Sequence, residues 1–141
     1  MSQFIRFQKV HREPDATELN VTAQSPVITA SAKIYVTDVM LEDLQEQISA
    51  FLGEKDLEGY WENDVPGIGG PPCVTLRMLP QKNDDSVLME IFMELNDGGS
   101  FMEHNCRFYV ATNRSSLQQF SDGIPAFCSG PAGCELTLNQ A

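Results

Sequence analysis

The sequence is poor in positive charge. It holds nine Lys and Arg against twenty Asp and Glu, a net charge of −11. A chain this short of basic groups lacks the patch needed to grip phosphates, which argues against nucleic-acid binding. The same deficit argues against docking on anionic membranes. Long hydrophobic runs are also absent: no stretch nears the roughly 20 apolar residues that span a bilayer. The first residues, Met1-Ser2-Gln3-Phe4-Ile5-Arg6-Phe7, contain no apolar leader, so a cytoplasmic location is expected. Histidine is scarce, with only His11 and His104. Cysteine is limited to Cys73, Cys106, Cys128 and Cys134, with no Cys-x-x-Cys pair. That spacing fits neither a disulfide framework nor a standard zinc site, and reduced cysteines in or near the core are expected.

What is abundant is acid, and it is unevenly placed. Residues 41–65 carry eight carboxylates against Lys55, and residues 81–105 carry six against Lys82. The rest of the chain is close to neutral. Two concentrated blocks would speed encounter with a basic partner. The alternative is that the acidity serves only solubility.

Apolar periodicity divides the chain into short elements. Residues 3–10 are expected to form an edge strand. Residues 17–24 alternate, with Leu19, Val21 and Ala23 on one face, and residues 27–36 repeat the pattern after Ser25-Pro26. The period then becomes helical at Leu41, Leu44, Ile48 and Phe51, with Thr37 or Asp38 as N-cap and Gly53 as stop signal. Residues 54–72 read as a long loop, which in a small domain is often functional. Strands follow at 73–79, 86–95 and 104–111, with a turn at Asn96-Asp97-Gly98-Gly99. Asn113 caps a second helix that Gly123 and Pro125 break or kink, and Cys134, Leu136 and Leu138 mark a last strand. The order βββ-α-βββ-α-β predicts an α+β fold. It is a single domain over 1–141, with a mainly antiparallel sheet of six to seven strands and two helices packed against it.

Motifs for chemistry are weak. Gly67-Ile68-Gly69-Gly70 precedes two prolines and a strand rather than a helix, so it is a turn rather than a phosphate cradle. His104 and Cys106 share a strand face, but their spacing to Cys128 and Cys134 matches no metal pattern, and no metal or other cofactor is expected. Neither histidine sits in a recognisable nucleophile setting, so no catalytic residue is assigned. Glu90 and Glu94 share a face but lie roughly 13 Å apart along the strand. That is too far for a simple acid/base pair, and they are expected to form a solvated or interaction face. Glu58-Gly59-Tyr60-Trp61-Glu62-Asn63-Asp64 combines the only tryptophan, a tyrosine and three carboxylates. Aromatics anchor interfaces and carboxylates pair with Arg and Lys. Equally, Trp61 could plug the core, since neighbours in an extended segment face opposite ways.

The layout also carries a resemblance. A β-rich start and a leucine-containing helix are followed by Gly59-Tyr60-Trp61, then Thr75-Leu76-Arg77-Met78-Leu79-Pro80 and an acidic alternating strand. Last, Cys106-Arg107-Phe108-Tyr109-Val110-Ala111-Thr112 runs into Leu117-Gln118-Gln119-Phe120. This resembles the immunity proteins of bacterial polymorphic-toxin and contact-dependent growth inhibition systems, particularly the group paired with wall-associated toxins. The resemblance implies a non-enzymatic cytoplasmic protein that binds the C-terminal domain of its cognate toxin, often a nuclease. The resemblance transfers no individual contact residue; the charge pattern and the aromatic pair make Glu42, Glu46, Glu58, Tyr60, Trp61, Glu62, Asp64, Glu90 and Glu94 the candidate partner-binding residues. The competing expectations are a small enzyme or ligand-binding domain with a pocket near the 54–72 loop, and an acidic adaptor subunit.

Overall fold

The structure is a computed structural model, and it describes residues 2–13, 16–53, 58–63, 73–81, 85–95 and 104–139. Clean alternation of apolar and polar residues produces eight strands among the described residues. They are β1 (Phe4–Arg12), β2 (Thr17–Gln24), β3 (Thr29–Val36), β4 (Gly59–Glu62), β5 (Cys73–Pro80), β6 (Ser86–Leu95), β7 (His104–Asn113) and β8 (Glu135–Asn139). The helices are α1 (Asp38–Gly53), α2 (Arg114–Asp122) and α3 (Ile124–Ser129). The fold is α+β and its strand pairing is antiparallel throughout.

The strands form two four-stranded sheets, ordered β3-β2-β1-β8 and β4-β5-β6-β7. Each buries one face. Ile5, Phe7, Leu19, Val21, Ile34 and Leu138 point inward from the first sheet, and Val74, Leu76, Met78, Met89, Ile91 and Val110 from the second. β3 passes close to β5 and β6, and β1 to β7, so the apolar faces share one connected core. The expected edge strand at 3–10 is instead central, because β8 returns from the far end of the chain to pair with its open side. The expected 54–72 loop contains β4, a strand too short to announce itself by alternation. Residues 54–57 and 64–72, with Gly67–Gly70, and the expected turn at 96–99 lie outside the described residues.

Helix boundaries follow local chemistry. Thr37 rather than Asp38 caps α1, its Oγ1 accepting from the Met40 amide at 3.1 Å. Asn113 caps α2, accepting from the Ser116 amide at 2.7 Å. Gly53 ends α1 without the positive φ of a left-handed cap, and the Arg114 guanidinium donates to the Leu52 carbonyl instead. Gly123 and Pro125 divide the second helical stretch into α2 and α3, as the sequence predicts.

One core position breaks the apolar rule. Lys9 follows Ile5 and Phe7 on the inward face of β1 and is only 2% exposed. A buried ammonium is costly unless its donors are satisfied. Here Nζ donates to the carbonyls of Phe127 (2.7 Å), Cys128 (3.1 Å) and Gly130 (2.8 Å), closing the end of α3, and it lies 5.2 Å from the Phe127 ring centroid. The Lys9 backbone also receives the amide of Gly133 at 2.7 Å. Gly133 has φ +94°, a left-handed conformation that favours glycine. The register shifts between Lys9 and His11, and His11, which strict alternation would turn inward, is exposed.

Two outcomes test this packing. Lys9→Met keeps the side chain's length but strips the α3 carbonyls of their donor, and urea unfolding should show a loss of about 3 kcal/mol. An unchanged midpoint would contradict the assigned role. A Cβ on Gly59 would stand 2.2 Å from the Met78 methyl and 3.0 Å from its sulfur. Gly59→Ala should therefore destabilise by about 1–3 kcal/mol as Met78 is pushed into a full core.

Candidate functional site

β4 alternates as expected and separates the aromatic pair. Trp61 points inward and is 2% exposed, whereas Tyr60 points outward and is 48% exposed. The indole Nε1 donates to the Met40 carbonyl of α1 at 2.8 Å. The Trp61 ring centroid lies 6.1 Å from that of Phe7, which meets Phe120 edge-on at 5.6 Å. Trp61 is thus a core residue. The expectation that it anchors a partner from the surface is corrected by its burial, because the apolar alternation of Gly59 and Trp61 turns it toward the shared core.

The side of β4 away from β5 faces α1. Val39, Asp43 and Gln47 recur at i, i+4 spacing along the helix. With Met40 they form one wall of a groove whose other wall is Tyr60, Trp61 and Glu62. Its volume is about 480 Å³. Val39 is 71% exposed at the rim, and the Tyr60 amide approaches Gln47 Oε1 at 3.5 Å. The Tyr60 hydroxyl donates to Glu62 Oε2 at 3.0 Å. Burial and this hydrogen bond push the phenol's pKa up, so it stays a donor and holds the carboxylate in place. Among the described residues Asp43 and Glu62 have no cation partner. A smaller hollow of about 190 Å³ lies on the other side of Val39, where Arg12 and Asp38 approach each other to 4.0 Å.

The remaining acidic candidates divide into three groups. Glu42 and Glu46 are exposed on α1. Glu42 looks toward α3, where burial pushes the Cys128 thiol up and the Asp38 and Glu42 carboxylates add to the shift against Lys9. The second group crosses the outer face of the second sheet. Register sets Tyr60, Arg77, Glu90 and Tyr109 in one cross-strand row, and Glu62, Thr75, Phe92 and Arg107 in the next. Both acidic blocks thus reach one face, but cations are interleaved. Arg77 binds Glu58 at 2.6 Å and Glu90 at 3.4 Å, and the Glu58 hydrogen bond first, then the two negative charges, raise its pKa. Glu90 also accepts from the Tyr109 hydroxyl at 3.1 Å and lies 3.7 Å from Arg107, whose guanidinium sits over Phe92. Its side chain is 11% exposed. The expected solvated Glu90 is therefore a covered, engaged carboxylate, because the long side chains beside it on the face fold over it. Glu94 is partly exposed beside Cys73. Asp64 lies outside the described residues.

Three of the cysteines sit where burial disfavours the thiolate. Burial pushes the Cys73, Cys106 and Cys128 thiols up, and for Cys73 the neighbouring Glu94 adds to it. Among the described residues no three His, Cys, Asp or Glu side chains gather where a metal could be held, and no helix is long and apolar enough to cross a membrane.

A raised thiol pKa leaves less thiolate at neutral pH. Alkylation of Cys73, Cys106 and Cys128, followed by peptide mass spectrometry, should keep accelerating above the pH at which a free thiol levels off. A plateau at lower pH would contradict the assigned environments.

No protein-family model matches the chain, and no significant match was found among curated proteins or solved structures.

Proposed function

We propose that the protein is an immunity-type inhibitor that binds and neutralises the basic C-terminal domain of a cognate toxin. The observation that carries this reading is the flank formed by α1 and β4. There an exposed tyrosine and valine stand among carboxylates, of which Asp43 and Glu62 have no cation partner among the described residues. Aromatic contact area supplies affinity at an interface, and unpaired carboxylates around it supply steering and selectivity for a basic surface. A nuclease toxin would present such a surface where it grips phosphates, and covering it would block the substrate. The layout of Gly59-Tyr60-Trp61, the acidic strand and the Cys106–Thr112 segment supports the same reading by resemblance.

Within this role the candidate residues separate. Tyr60 and Glu62 form the centre, joined by Asp43, with Glu46 on the solvent crest of α1. Glu58 and Glu90 serve the face indirectly, by holding Arg77. A cytoplasmic location follows from the role, since that is where a toxin of this kind acts. The groove near the 54–72 segment also favours a second reading, a small ligand-binding domain.

An immunity gene should lie just downstream of a large toxin gene, and co-expression with the C-terminal domain of that toxin tests the proposal. Cells should survive, and the two proteins should purify as a complex. Loss of viability together with no complex would reject it. Within the complex, Glu46→Lys with Glu62→Lys should slow association about tenfold at low ionic strength, with a smaller effect at high salt. Equal rates at low salt would remove this flank from the interface.

A further inference from the structure

We infer that the groove between α1 and β4 is an arginine receptor: it takes one guanidinium side chain projecting from the partner protein. This rests on the partner-binding role proposed above and names the chemistry that its centre recognises.

The groove combines three features that one cationic, planar group would use together. First, one wall presents the exposed aromatic face of Tyr60, with the almost wholly buried Trp61 closing the groove behind it. A guanidinium stacks on such faces and is more weakly hydrated than an ammonium, so it loses less on leaving water. Second, carboxylates line both walls, Asp43 on the helix and Glu62 on the strand. A guanidinium presents donors on several edges, which suits acceptors on opposite sides better than a point charge does. Third, the acceptors are set in advance. The Tyr60 hydroxyl donates to Glu62 Oε2 and orients the carboxylate, whose other oxygen has no partner among the described residues, and Gln47 Oε1, which the Tyr60 amide approaches at 3.5 Å, adds a neutral acceptor beside them. Val39 and Met40 give the aliphatic stem an apolar wall. Among the described residues the other acidic candidates lack this combination. Glu58 and Glu90 are already bound to arginines of this chain, and the hollow beyond Val39 contains the Arg12–Asp38 pair.

The outer face of the second sheet shows the same chemistry within the protein. There Glu90 is enclosed by Arg77, Arg107 and Tyr109, a set of carboxylate, guanidinium and phenol. The groove presents the carboxylate and phenol of such a set without its guanidinium.

The only tryptophan lines the groove, so its fluorescence reports the site directly. The probe is an N-acetylated, C-amidated tetra-arginine peptide, titrated into the intact protein, with tetra-citrulline and tetra-lysine as comparisons. Tetra-arginine should give a saturable change, tetra-citrulline none, and tetra-lysine a weaker one. Asp43→Asn with Glu62→Gln should weaken tetra-arginine binding about tenfold or more, while Glu135→Gln, on the opposite sheet, should leave it unchanged. Circular dichroism melts check that each variant is folded. No saturable change, equal binding of tetra-lysine, or full binding by the double variant would overturn the inference. Its failure is distinct from failure of the broader role. Protection from the toxin without tetra-arginine binding rejects the receptor alone. Tetra-arginine binding without protection rejects the immunity role and keeps the receptor.

Discussion

Trp61 joins three parts of the protein that are separate in sequence. Its indole donates to the Met40 carbonyl of α1, its ring approaches Phe7 of the first sheet, and its backbone pairs with Leu76 of the second. A buried indole N–H requires an acceptor, and Met40 supplies one only if α1 lies alongside β4. That bond ties α1 to β4 on the side where the groove lies, together with the buried face of α1. Tyr60 and Glu62 flank Trp61 in the strand, so pinning the tryptophan inward necessarily presents them outward.

The excess negative charge is handled in two different ways. On the outer face of the second sheet, Arg77 and Arg107 sit between carboxylates from both acidic blocks, and Glu90 is enclosed. This face is a network of interleaved charges, and its exposed Arg77–Glu58 pair contributes modestly to stability. On the α1–β4 flank the carboxylates stand beside apolar and aromatic surface with no cation of their own among the described residues. The same composition thus gives a balanced sheet face and an unbalanced groove. The groove is the part suited to attracting a basic partner.

Much of the fold was legible because alternation and helical spacing report burial directly. Leu19, Val21 and Ala23, then Leu41, Leu44 and Ile48, fall where their periods place them. Pairing was not legible. Nothing in residues 3–10 indicates that β8 closes on β1, and the division into two sheets depends on contacts distant in sequence. Lys9 was hidden because a lysine in a strand reads as outward, and its carbonyl partners lie more than a hundred residues away. At the site, Tyr60 and Glu62 stood out by residue type. Asp43, Gln47 and Val39 needed the helix placed against β4, although their i, i+4 stripe beside the core stripe was a usable signal. Glu90 is covered despite its outward position because alternation gives direction but not what folds over a side chain.

The α1–β4 flank is the surface proposed to meet a basic protein. Hydrogen–deuterium exchange on the protein, free and in complex with the C-terminal domain of the proposed cognate toxin, tests this most directly. Protection on binding should concentrate in residues 38–53 and 58–63. Protection confined to the outer face of β1, β2 and β3, with the flank unchanged, would contradict the account.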